Sequence, residues 1–189
     1  MPILEGKEQE RLGIMEAARL MLIAARTAPK SGGVDDILSA IICGDEIGAL
    51  AADMEKIGEE RDVAAWYHQA QNVKDATAIV LIGVKGTRSY ITGCGACGHQ
   101  GCEAFKRAPK MRGQDFDGPN CIFKTLDLGI AVGSAVKTAG LLNVDNRILY
   151  RIGAAAMRLN YLPDASIVLG IPLAVKGKNP YFDRAVKPK

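Results

Sequence analysis

No apolar run in this chain approaches the roughly 18 residues that a helix needs to cross a bilayer, so a membrane-spanning helix is not expected. Charge of one sign is lacking too. Lys and Arg number 24 against 21 Asp and Glu, and the resulting +3 is too small to argue for nucleic acid or an anionic membrane surface. The opening stretch, MPILEGKEQERLG, is acidic and amphipathic. It has neither the basic n-region nor the apolar h-region of a secretion signal, and the expectation is a cytoplasmic protein. Internal repeats and low-complexity linkers are missing as well. With 48% hydrophobic and 24% charged residues the composition is close to the globular norm, which argues against general disorder. The expectation is a single domain over residues 1–189, long enough to bury a sizeable core.

What the chain does have is a concentration of cysteine. Four of its five cysteines fall within residues 92–121, TGCGACGHQGCEAFKRAPKMRGQDFDGPNC, as Cys94, Cys97, Cys102 and Cys121. The spacing is C-x2-C-x4-C, with eighteen residues before the last. In a cytoplasmic protein such cysteines more often bind metal or do redox chemistry than form disulfides. Three thiols this close in sequence can meet at one centre only if the backbone turns tightly. The glycines at 93, 95, 98 and 101 permit that, because glycine reaches positive φ without steric cost. Four thiolates are the ligand set of an iron–sulfur cluster or of a structural zinc. Zinc prefers paired C-x2-C knuckles or cysteine–histidine mixtures, and His99 lies in this loop. A cluster prefers a compact run and a distant fourth ligand, with backbone N–H groups free to donate to sulfur. The glycines, and Pro119-Asn120 before Cys121, fit the cluster better, although the spacing is neither the bacterial two-cluster nor the plant-type pattern. One [4Fe-4S] cluster is therefore the reading, with zinc the alternative and a disulfide or unligated thiols a third. Cys43, at the end of an apolar strand, is expected to be an inert buried thiol. His99 reads as a polar loop residue and His68 as a helix-surface residue.

Apolar periodicity predicts helices over residues 8–27, 44–60, 62–73 and 147–159. Asp45 is a candidate N-cap for the second of these. Residues 37–43 and 77–84 read as strands, the second buried on both faces because its apolar run is unbroken. Residues 106–120 carry no regular signal. Residues 126–142, apolar on nearly every side, predict a helix buried in the centre of the fold. Residues 166–173 predict a last strand whose interruption by Gly170 and Pro172 suits an edge or a strand end. The tail beyond reads as basic and extended. No general acid or base stands out.

Two segments resemble the flavin-dependent nitroreductase family. In one, Ala24-Ala25-Arg26-Thr27-Ala28-Pro29-Lys30-Ser31-Gly32-Gly33 resembles that family's helix ending in an alanine-proline-serine loop against the flavin. In the other, Asp127-Leu128-Gly129-Ile130-Ala131 and later Leu169-Gly170-Ile171-Pro172 resemble its central helix and final strand. With the cysteine loop between them, the combination is similar to a group of prokaryotic proteins described as containing a ferredoxin domain. The resemblance implies an α+β, FMN-dependent nitroreductase-like fold with a cysteine-rich, cluster-binding insertion at residues 92–121. It implies FMN contacts at Arg26, Pro29, Lys30, Ser31, Gly32 and Gly170, with Lys176, Lys178 and Arg184 in reach of a phosphate. It also implies a homodimer with flavin at the subunit interface. The expected function is an oxidoreductase that passes electrons between a [4Fe-4S] cluster and FMN or a small acceptor. The alternatives are an electron carrier without flavin and a zinc-stabilised binding module.

Overall fold

The computed structural model describes residues 3–89 and 93–182. Its elements, in chain order, are α1 (Gly6–Thr27), β1 (Ile37–Ile42), α2 (Asp45–Arg61), α3 (Ala65–Lys74), β2 (Ala78–Val84), α4 (Gly101–Arg107), β3 (Met111–Arg112), β4 (Asp117–Gly118), α5 (Ile122–Leu141), β5 (Asp145–Asn146), α6 (Tyr150–Arg158) and β6 (Ile167–Ala174). Short 3-10 turns occupy Ser31–Gly33 and Pro180–Phe182. The main sheet runs β1-β2-β6-β5 with antiparallel neighbours, and β3 and β4 form a separate small hairpin.

β2 is the spine of the fold. All of its residues are buried, because helices cover both faces of the sheet. Its side chains alternate between two cores, as the two-residue period of a strand requires. Ala78, Val80, Ile82 and Val84 pack beneath α1 and α5, while Ile79 and Leu81 pack against α2, α3 and α6. Small residues set the layer spacing on both sides. Ala17, Ala18 and Ala25 of α1 meet Ala131, Ala135 and Ala139 of α5 in the first core. On the other face α6 lies directly on β6. A Cβ at Gly153 would stand 1.7 Å from the Val168 carbonyl oxygen, and one at Gly170 would stand 2.0 Å from Ile152 Cγ2.

Several elements depart from what the sequence predicts. α5 begins earlier, at Ile122, and is not buried all round: Ile122, Leu126, Ile130 and Leu141 are exposed. β6 lies inside the sheet order, but its outer side pairs only with the two residues of β5 and, at Gly170, with Leu149. Gly170 exchanges both backbone hydrogen bonds with Leu149, so Pro172, two residues on, also turns its nitrogen to that sparsely paired side. The missing N–H therefore costs β2 nothing. Gly44, not Asp45, caps α2. Residues 106–120 hold the end of α4 and the β3–β4 hairpin, elements too short to leave a periodic signal. The chain after β6 is not simply extended: the turn at Pro180–Phe182 buries Tyr181 completely. Cys43 is exposed, not buried, because β1 is an outer strand of the sheet and Cys43 follows its last residue.

The α6–β6 contact gives a direct test of the layer spacing. Gly153→Ala should lower the free energy of unfolding by about 3 kcal/mol, the upper range for overpacking a core. Urea denaturation reads this, and an unchanged midpoint would mean that the two elements are not in backbone contact.

Candidate functional site

The cysteine-bearing segment leaves the sheet at the end of β2 and returns to the same point. The backbone N–H of Cys121 donates to the Gly86 carbonyl at 2.8 Å, so the two ends of the excursion touch. The closure is fastened from behind. Ser166 Oγ accepts from the Gly86 N–H at 2.8 Å and lies 2.7 Å from Asn120 Oδ1, while Asn120 Nδ2 donates to the Asp117 carbonyl at 2.6 Å. A Cβ at position 86 would meet Asn120 Oδ1 at 2.3 Å and Ser166 Oγ at 2.8 Å, so any side chain there displaces the groups that fasten the closure. Cys121 itself is buried and caps α5, where the positive end of a long helix favours negative charge.

Within the excursion, Gly93, Gly98 and Gly101 all adopt positive φ, as the tight turning around the cysteines requires. The Ala96 N–H donates to Cys94 Sγ at 3.4 Å, and Cys102 Sγ donates to the Cys94 carbonyl at 3.4 Å. Cys94 and Cys97 are half-buried, whereas Cys102 is buried in the first turn of α4. Cys94 and Cys102 are thus brought together, and Cys121 stands at the root of the same excursion. Among the described residues, no three of the His, Cys, Asp and Glu side chains are gathered around one point as they would be to hold a metal ion. The donor chemistry suits a thiophilic centre, with N–H groups available to sulfur. His99 packs edge-on against the buried Phe105 at 5.5 Å between ring centroids. His68 is exposed on α3.

The loop after α1 is held by a buried charge network that gives no signal in the sequence. Asp127, 1% exposed, accepts from both the N–H and the Oγ of Ser31 at 2.8 Å through Oδ1. Its other oxygen has no hydrogen bond and faces the Lys124 ammonium at 3.8 Å. Lys124, wholly buried, bonds Asp36 at 2.8 Å and the Val34 carbonyl at 2.9 Å. Two residues of α5 thereby fix both ends of the Ser31–Val34 turn. The side chains expected to meet a flavin are engaged in the protein. Lys30, only 6% exposed, donates to the carbonyls of Ala25 and Arg26. Arg26 donates to Asp35 and to the Ile37 carbonyl. Burial raises the Asp35 pKa, but the hydrogen bonds from Arg26 and the Ile37 amide outweigh it and hold the carboxyl below its ordinary value. Gly170 is buried against Ile152, and Lys176 pairs with Asp75 at 3.7 Å. Pro29 ends α1, and Gly32 is exposed at positive φ. Arg184 lies outside the described residues. Of the expected cationic flavin contacts, Arg26, Lys30 and Lys176 are each already engaged within the protein.

The family of uncharacterized proteins containing a ferredoxin domain (DUF2148) matches residues 117–184. An uncharacterized protein of Archaeoglobus fulgidus is 46% identical over 98% of this chain and 99% of its own length. The chain belongs to the DUF2148 family. Solved structures similar to this DUF2148 protein share its fold at low identity. The NADPH:FMN oxidoreductase from Vibrio harveyi, complexed with NAD+, is 14% identical, with a TM-score of 0.54 over all of this chain and 65% of its own. A putative nitroreductase in complex with FMN from Desulfovibrio desulfuricans is 19% identical, with a TM-score of 0.54 over 92% of this chain and 79% of its own. A nitroreductase with bound FMN from Bacteroides fragilis is 11% identical, with a TM-score of 0.57 over 92% and 81%. The DUF2148 chain thus spans just under two thirds of the length of the first of these. The fold is α+β and nitroreductase-like. No helix among the described residues is long and apolar enough to cross a membrane.

Lys124→Met should destabilise the DUF2148 protein by roughly 3–5 kcal/mol, the range for removing one partner of a buried ion pair. Amide exchange at Ser31–Val34 should accelerate in the same variant. Unaltered exchange there would show that the network does not hold the turn.

Proposed function

We propose that this protein is a redox protein whose cysteine excursion holds one [4Fe-4S] cluster through Cys94, Cys97, Cys102 and Cys121. The observation that carries the reading is the closure of the excursion on itself. The Gly86–Cys121 bond returns the last cysteine to the root of the segment that bears the other three, which a fourth ligand from so far along the chain requires. A cluster, when bound, supplies transfer of single electrons. The protein's own part is to place four thiols at one end of the sheet, to offer the Ala96 N–H to sulfur, and to bury two of the four thiols away from water. The ferredoxin-domain family and the oxidoreductase neighbours support a redox role. Zinc remains the alternative occupant of the same thiols.

The FMN named for the neighbours would need Arg26 and Lys30 to leave their present partners, so the electron-carrier reading is preferred to the flavoenzyme one. Anaerobic purification should yield a brown protein with a broad visible shoulder and no twin flavin bands. Cys97→Ser should bleach it. A colourless protein with stoichiometric zinc would overturn the cluster, and stoichiometric flavin would overturn the preference for a carrier.

A homodimer belongs to the same proposal. Leu12, Leu20 and Ile23 of α1 and Ile122, Leu126, Ile130 and Leu141 of α5 are exposed. On α5 they alternate with Gly129, Gly133 and Gly140, where an added Cβ would meet nothing. An apolar stripe, open to close approach and interrupted by the exposed Lys137, thus runs along a helix about 30 Å long, and a second copy of the chain supplies a matching face. Light scattering should give twice the 20.1 kDa of the chain for the native protein and half that mass for Ile130→Glu. A monomeric native protein would remove the dimer.

A further inference from the structure

Within the cysteine excursion lies a cavity of about 480 Å³ between the flanks of α4 and the β3–β4 hairpin. Its walls are Ala108, Pro109, Met111, Phe116 and Pro119, with Gly113 and Gly118 contributing backbone only. Two polar side chains reach it, Asp117 and His99. Asp117 is already neutralised by Arg112 at 3.0 Å, so no unpaired charge faces the cavity. The ring nitrogens of His99 have no hydrogen-bond partner among the described residues. Its ring is held instead by the edge-on contact with Phe105.

We propose that this cavity binds a small, flat, uncharged carbonyl compound of the quinone class, with His99 donating a hydrogen bond to its oxygen. The volume is in the range of small-molecule sites. Proline, phenylalanine and methionine walls suit a ring that brings no charge, and the thioether of Met111, 69% exposed, can adapt to it. A single ring N–H free of protein partners beside an apolar wall selects a ligand with an acceptor at that point. The choice of a reducible carbonyl rests on the cluster reading above, since His99 sits in the chain between Cys97 and Cys102. A more polar recess of about 450 Å³, which shares Gly113, is less suited to a ligand. Its three guanidiniums, Arg61, Arg112 and Arg158, are already paired with Asp115, Asp117 and Glu60.

Duroquinone is a suitable probe, because its fully substituted ring gives thiols no position for addition. Titrated anaerobically into the intact protein, it should shift the methyl NMR signals of Met111 and Ala108 saturably. His99→Leu should raise the Kd about fivefold, the worth of one hydrogen bond. Met111→Asp, a change at an exposed position that leaves the fold intact, should raise it about tenfold by placing a charge at the mouth. Iron and visible absorption present without those shifts would overturn this inference and leave the cluster standing. Shifts unaffected by either substitution would overturn it too. A protein without iron would overturn the cluster reading, and the same titration would then decide the cavity on its own.

Discussion

The site depends on a single backbone closure, the bond from the Cys121 N–H to the Gly86 carbonyl. Without it, the three early cysteines and the late one would belong to separate parts of a long surface segment. With it, the segment becomes a closed excursion from the end of β2, the most deeply buried strand. The closure is backed by Ser166 and Asn120, which a side chain at position 86 would displace. Because Ser166 immediately precedes β6, the root of the excursion is fastened to the two central strands together. The cysteine-bearing loop is thereby attached to the most buried part of the sheet.

The second loop, after α1, is governed by a different force. There the anchoring is ionic and buried, through Lys124, Asp127 and Asp36. Such groups cost much to desolvate and are tolerated only when paired and hydrogen-bonded, so they fix one geometry rather than adding stability. The consequence bears on function. In a nitroreductase-like fold the segment that resembles a flavin loop is tied down by the protein's own carboxylates and carbonyls. Two cations of that segment, Arg26 and Lys30, are spent on Asp35 and on the end of α1.

Much of this was legible in the chain, and the physics explains what was not. β2 reads as a buried strand because both of its faces meet core, and the cysteines announce themselves by spacing and glycine. α5 misleads, because an all-apolar helix looks central when half of its surface is an exposed stripe. Cys43 misleads for a related reason: an apolar strand looks interior although β1 stands at the sheet's edge. The Lys124 network is invisible because its carboxylate and carbonyl partners, Asp36 and Val34, are far away in sequence. A lone lysine near the start of a helix ordinarily looks solvated. The β3–β4 hairpin, with two residues a side, is too short for alternation to register, and the cavity it encloses with α4 goes unseen with it.

X-ray absorption on protein prepared without oxygen tests the central claim most directly. An iron edge with sulfur-only first neighbours and iron–iron scattering, lost on replacing Cys121 by serine, is the predicted result. A zinc edge with four sulfurs, or iron scattering that survives the loss of Cys121, would contradict it.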